Sequence, residues 1–152
     1  MSCWLFKSEP DIFSIDHLAA EPDQRCRWDG IRNYQARNHL RDRVKPGDLV
    51  LFYHSSCKAV GIAGIMVITS AGYPEPDQFD AASDGYDPDS TADKPRWFCV
   101  DVKLVRKFAR LIPLSELKQQ GPLQDMVLFR QGRLSIVPVT DKEWQAILHL
   151  AG

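Results

Sequence analysis

The chain has 152 residues, enough for one domain to bury about two-thirds of its unfolded surface without a disulfide or metal staple. Its net charge of -1, with 44% hydrophobic and 26% charged residues, excludes a strongly basic nucleic-acid coat and a disordered tail alike. Four cysteines at positions 3, 26, 57 and 99 form no C-x-x-C pair, so neither structural zinc nor a redox dithiol is expected, and idle thiols in a reducing cytoplasm are. The opening residues turn polar at Lys7 and Glu9, too soon for a signal peptide or a membrane span.

In chain order, Trp4 to Phe6 reads as a strand ended by Pro10. Asp11 is placed to cap a helix carrying Ile12, Ile15 and Leu18. Glu21 to Arg27 reads as a polar link, and Asn33 as the cap of a helix from Tyr34 to about Val44 with Ala36, Leu40 and Val44 buried. Lys45-Pro46-Gly47-Asp48 stops that helix before a strand over Leu49 to His54. Ala59 to Thr69 is β-branched and reads as a central strand whose glycines suit a bend or a close backbone approach. Ala71 to Pro95 reads as a long surface loop with one helical turn, and Trp97 to Val105 as a strand with one buried face. A short helix over Leu114 to Lys118, a strand over Ser135 to Val139 and a capping box at Thr140-Asp141-Lys142-Glu143 complete the chain. That box opens a helix burying Trp144, Ile147 and Leu148. Strands mixed with short helices, without βαβ alternation, give an α+β domain, taken as a small barrel of about five or six strands over residues 1–152.

The charge is uneven. Between Pro74 and Asp93 there are seven acids and no Lys or Arg, which leaves the rest of the chain 19 basic against 13 acidic residues. A surplus of that size supports only weak, salt-sensitive phosphate contact, so any specificity must come from a pocket.

Trp28-Asp29-Gly30-Ile31-Arg32-Asn33-Tyr34-Gln35-Ala36-Arg37-Asn38 concentrates indole, phenol, guanidinium and carboxamide groups beside a glycine. Such groups stack on bases and pair with their edges. Trp28, outside any apolar period, is expected to line a pocket and stack on a ligand, against the alternative of core packing. Asn33 is either a helix cap or a reader of a base edge; Arg32 and Tyr34 are either a cation-aromatic pair or phosphate and stacking contacts. Lys7 and Ser8 mark a change from apolar to polar at a strand end, as do Tyr53, His54 and Ser55. Strand period allows only one of Tyr53 and His54 to face a given side. Arg96 with Trp97, and Arg130 with Arg133, are further candidates for contact, against strand-edge packing and solvated loop positions.

Enzymatic signals are thin. His54 beside Ser55, Ser56 and Cys57 lacks a G-x-S-x-G elbow, and adjacent strand residues diverge. Asp84-Gly85-Tyr86-Asp87-Pro88-Asp89 lacks the ligand spacing of a calcium loop, and there is no P-loop or dinucleotide fingerprint, so no metal or cofactor is expected.

Three segments, Trp4 to Pro10, Trp28 to Asn38 and Gly47 to Ser55, with Pro95-Arg96-Trp97-Phe98 as a fourth, together resemble the EVE domain of the PUA-like superfamily. That family is similar in fold to the YTH domains that read methylated adenine in RNA. The resemblance implies a PUA-like β-barrel with a pocket for a modified base between aromatic walls, in which Ser8 and Lys7 abut the ligand. It implies a non-enzymatic reader of a modified nucleobase in DNA or RNA, while the early polar residues Lys7 and Glu9 give the expectation of a cytoplasmic protein. Trp28 would stack, Ser8 and Asn33 would read the base edge, Tyr53 or His54 would close the far wall, and Arg32, Arg37 and Arg130 would lie near phosphates. A small-molecule sensor or minor hydrolase using the same pocket is the alternative.

Overall fold

A computed structural model describes residues 2–152. Seven strands form one mixed sheet, β1 (Cys3–Ser8), β2 (Arg25–Trp28), β3 (Leu49–His54), β4 (Gly61–Ile68), β5 (Tyr73–Pro74), β6 (Phe98–Pro113) and β7 (Ile136–Val139). Their order is β2-β6-β4-β3-β1-β7, with the short β5 also on β6. β1 and β3 run parallel, and every other pairing is antiparallel. The sheet is not closed: β2 and β7 are its two ends, so the expected small barrel of five or six strands is a curled, open sheet of seven. Five short helices flank it, α1 (Ile15–Ala20), α2 (Tyr34–Asn38), α3 (Leu114–Leu117), α4 (Val127–Arg130) and α5 (Asp141–Ala151). No helix among the described residues is long and apolar enough to cross a membrane.

Local chemistry explains most boundaries. The Asn33 carboxamide oxygen accepts from the Ala36 amide at 2.9 Å and starts α2. The backbone then widens into a π-helical turn over His39–Arg43, and Ala36, Leu40 and Val44 are all buried as the four-residue spacing requires. Thr140 and Glu143 form the reciprocal cap of α5, whose Trp144 and Ile147 enter the core. The cap of α1 is Ser14 and not Asp11. Ile12 therefore falls outside the helix and stands 75% exposed on the turn before it.

Two segments read as connections are structural. Arg25–Trp28 is an edge strand on β6 with its arginines outward and Cys26 and Trp28 turned in. The outward arginines made it look like a polar link, and charge on an edge strand also discourages pairing with another chain. The stretch from Tyr73 to Trp97 is pinned from within by Gln78. Its amide nitrogen donates to the carbonyls of Glu75 (2.7 Å) and Trp97 (2.8 Å), while its oxygen accepts from Trp97 N (3.0 Å) and Ser90 Oγ (2.6 Å).

Pairing is irregular along β4. Its pairing with β6 slips between Ile62 and Gly64 and again between Ile65 and Met66, and each slip adds local twist and bend. A Cβ on Gly64 would collide with the Arg106 carbonyl and the Ile15 side chain, so only glycine lets β6 and α1 approach there. Gly64→Ala is expected to lower unfolding free energy by about 1–3 kcal/mol, read from urea denaturation; an unchanged midpoint would mean that the close approach is dispensable.

Candidate functional site

The parallel pairing of β1 with β3 puts Lys7 opposite Tyr53 and Ser8 opposite His54, with both strands ending at the same level. Ser55 N extends the ladder to Ser8 O at 2.9 Å. Beyond these ends lies a cavity of about 1010 Å³. Lys7, Ser8, Tyr53 and Ser55 form one side, Trp28 to Arg32 a second, the Ile12-Phe13 turn a third, and Gly132, Arg133 and Ser135 a fourth.

Trp28 and Phe13 give it an aromatic floor. Trp28 meets Phe13 edge-on at 6.3 Å and is backed, beneath the floor, by Phe52 edge-on at 5.3 Å and by Phe6 at 5.6 Å. Only 6% of Trp28 is exposed. Of the roughly 250 Å² an indole residue offers, this leaves about 15 Å² open, an edge and not a face. Trp28 is therefore both core and cavity lining, and the stacking role expected of it has no surface to act on.

The Trp28–Asn33 wall is held from behind by the acidic segment. Glu75, 1% exposed, accepts from both terminal nitrogens of Arg32 (2.8 and 2.7 Å) and from Gly30 N (3.1 Å). Gly30 has φ of +78°, a conformation that favours glycine. Arg32 also donates to Gly85 O at 2.7 Å and lies over the Trp97 ring at 5.1 Å. On Trp97 stacks Tyr34 (5.1 Å, 24°), and over Tyr34 lies Arg37 (4.9 Å). Trp97 Nε1 donates to Asp87 at 2.7 Å, which holds that carboxyl below the usual range. Arg27 meets Asp77 and Arg96 meets Asp87 and Asp89, so three arginines of the basic surplus are spent on the acidic run.

Protonation follows burial. Desolvation lowers the Lys7 ammonium from its ordinary value. It pushes the Tyr53 phenol and the Cys26 thiol, both at the cavity, up to about 12. At neutral pH, Tyr53 keeps its proton and Cys26 is a neutral thiol and poor nucleophile.

Of the twelve site candidates, Lys7, Ser8, Trp28, Arg32, Tyr53 and Ser55 line the cavity, whereas Asn33, Tyr34, His54, Arg96, Trp97 and Arg130 do not. Asn33 uses its side chain as the α2 cap. His54 turns to the other side of β3, where its Nε2 accepts from Ile15 N at 3.1 Å and its ring meets Phe52 edge-on. Tyr34, Trp97, Arg37 and Arg96 belong to the buttress behind the wall; Arg37 donates to Arg96 O at 2.7 Å. Arg130 ends α4 and is exposed, and it is the neighbouring Arg133 that reaches the cavity. Ser8 gives its hydroxyl hydrogen to Phe13 O at 2.6 Å, so towards the cavity it only accepts. Sequence reasoning missed Phe13 and Cys26, the first hidden in a misplaced helix and the second in the unrecognised β2. Alternation over Arg25-Cys26-Arg27-Trp28 was the signal that could have found the latter.

A family model described as the EVE domain matches residues 2–150. Human thymocyte nuclear protein 1 is 48% identical over 166 aligned positions, spanning 98% of this chain and 73% of that protein. A crystal structure of human THYN1 in complex with 5-methylcytosine-containing DNA has a TM-score of 0.94 at 47% identity and covers 99% of this chain and 98% of that one. A crystal structure of a Pseudomonas putida protein has a TM-score of 0.93 at 48% identity and covers 99% and 100%. The α+β architecture is that of these neighbours, in keeping with the PUA-like class.

Glu75→Ala is expected to destabilise the protein by about 2 kcal/mol, below the range for fully buried pairs because the Arg32 side chain stays 31% exposed and partly hydrated. Asp77→Ala, on a solvated pair, is expected to cost less than about 0.5 kcal/mol. Thermal unfolding of the two variants side by side reads the difference; equal effects would mean that Glu75 is not the special member of the acidic run.

Proposed function

The chain belongs to the EVE-domain family, and we propose that it is a non-enzymatic DNA-binding protein that takes a modified cytosine, of the 5-methylcytosine class, into the cavity at the ends of β1 and β3. The observation that carries this reading is the make-up of that cavity, which has an aromatic floor beneath a rim with two cations left free for a ligand. Lys7 donates only to Gly132 O (2.7 Å) and rests 5.8 Å from the Tyr53 ring centroid. Arg133 lines the cavity and is exposed. The relative solved with 5-methylcytosine-containing DNA, nearly superposable over the whole chain, supports the choice of DNA and of the modification class.

The volume of about 1010 Å³ exceeds what one base needs, so the base enters with part of its sugar. A base reaches such a site only from a single strand or by leaving the stack, at a cost of a few kcal/mol in duplex. The added methyl group contributes about 1 kcal/mol by burial against the aromatic floor, which corresponds to roughly fivefold in affinity. Preference for the modified base is therefore modest, and tight binding rests on phosphate contacts from Arg133 and on hydrogen bonds to the base. A binder, rather than a hydrolase, is supported by the state of the nucleophiles: Cys26 is a neutral thiol, Ser8 has no base beside it, and His54 faces away from both.

Titration of matched oligonucleotides carrying cytosine or 5-methylcytosine, as DNA and as RNA, at two salt concentrations tests the reading. Methylated DNA is expected to bind about fivefold more tightly than unmethylated, and Arg133→Ala to reduce the slope of log affinity against log salt by about 0.7–0.9. Binding no better than millimolar to every oligonucleotide, with free nucleosides binding well, would replace the reader with a small-molecule sensor.

A further inference from the structure

Three residues of the cavity hold polar hydrogens that no group among the described residues accepts. The Trp28 indole N–H and the Tyr53 hydroxyl have no hydrogen-bond partner among the described residues, although these two residues are only 6% and 3% exposed. Among the described residues, the sole buried side-chain polar atom lacking a partner is His39 Nδ1. The Trp28 and Tyr53 atoms are therefore not sealed in the core; they reach the cavity that both residues line. Lys7 completes the set, since its ammonium carries three hydrogens and spends one on Gly132 O. Lys7 and Tyr53 are register partners across β1 and β3, and Trp28 lines the same cavity beside Phe13.

We propose that Trp28 Nε1, the Tyr53 hydroxyl and Lys7 Nζ are the groups that read the base, and that they select a pyrimidine through its two ring-edge acceptors. This rests on the modified-cytosine reading above and deepens it, because it replaces stacking on Trp28 and reading by Asn33 with hydrogen bonds from donors held in the protein core. A pyrimidine presents two acceptors and one donor along its pairing edge. Guanine presents one acceptor against two donors, and would set its amine hydrogens against those of the protein. Ser8 Oγ, having donated to Phe13 O, supplies an acceptor for the one pyrimidine donor. Donors fixed by packing cost little to order on binding, and a ligand that displaces their water without offering acceptors leaves them unpaired, which is the origin of strong rejection.

The test uses Trp28→Phe and Tyr53→Phe, which keep ring packing and remove only the polar hydrogen. Each is titrated with single-stranded DNA carrying one 5-methylcytosine, or a difluorotoluene nucleotide that keeps the ring and the methyl group but accepts hydrogen bonds poorly. Wild-type protein is expected to prefer 5-methylcytosine at least tenfold over difluorotoluene, and each variant to lose most of that preference by weakening on 5-methylcytosine alone. Tyr53→Phe guards against a folding defect in Trp28→Phe, because its hydroxyl supports nothing in the protein; thermal unfolding of both is recorded alongside. Variants that retain the wild-type preference would overturn the assignment of these donors while leaving the modified-base reading intact. Wild-type protein that binds neither oligonucleotide better than millimolar would instead overturn the reading itself, and the donor assignment with it.

Discussion

The buried carboxylate of Glu75 is the constraint on which the cavity depends. It gathers the Arg32 guanidinium and the Gly30 amide at once, and so fixes the path of a segment that is otherwise mostly exposed. Without an acceptor in that place, the left-handed turn at Gly30 loses its hydrogen bond, and the wall following Trp28 keeps only the buried Ile31 and the contacts of Arg32 with Gly85 and Trp97. Removal of such an acceptor leaves charge and a backbone donor unpaired. The acidic run thus serves the site from behind: Gln78 sews it to Trp97, Trp97 carries Tyr34 and Arg32, and Arg37 closes the stack.

This division explains what the sequence made legible. Asn33 capping, the stripe of Ala36, Leu40 and Val44, the extent of β3 and the capping box of α5 depend on neighbours within a few residues, and all stand as read. The helix after Tyr34 held in its buried face but not in its form, since the π-helical turn at His39–Arg43 leaves no mark in a spacing of four. β2 escaped because an edge strand with arginines outward has the composition of a loop. The bond between Arg32 and Glu75 spans 43 residues, and no local pattern announces it.

The site was half legible for the same reason. Lys7, Ser8 and Tyr53 lie at strand ends, and a switch from apolar to polar marks such places. Tyr34, Trp97 and Arg96 have the composition of a ligand surface, yet they are consumed by one another and by the acidic run. Side-chain type identifies groups able to stack or pair; only the fold tells whether their partners are already inside the protein. Trp28 is the sharpest instance, since its isolation in sequence promised an open ring, and three phenylalanines leave it an edge.

Base recognition of the kind proposed depends on that edge. The chain has four tryptophans, and their indole N–H groups give separate signals in a nitrogen-proton correlation spectrum. Trp4 Nε1 is committed to Asp48 at 3.0 Å and Trp97 Nε1 to Asp87 at 2.7 Å, whereas Trp28, which lines the cavity, has no partner for its Nε1 among the described residues. Titration with 5-methylcytosine-containing single-stranded DNA is predicted to move the Trp28 indole signal downfield while those of Trp4 and Trp97 stay in place. Saturated binding with the Trp28 signal unmoved would contradict the account.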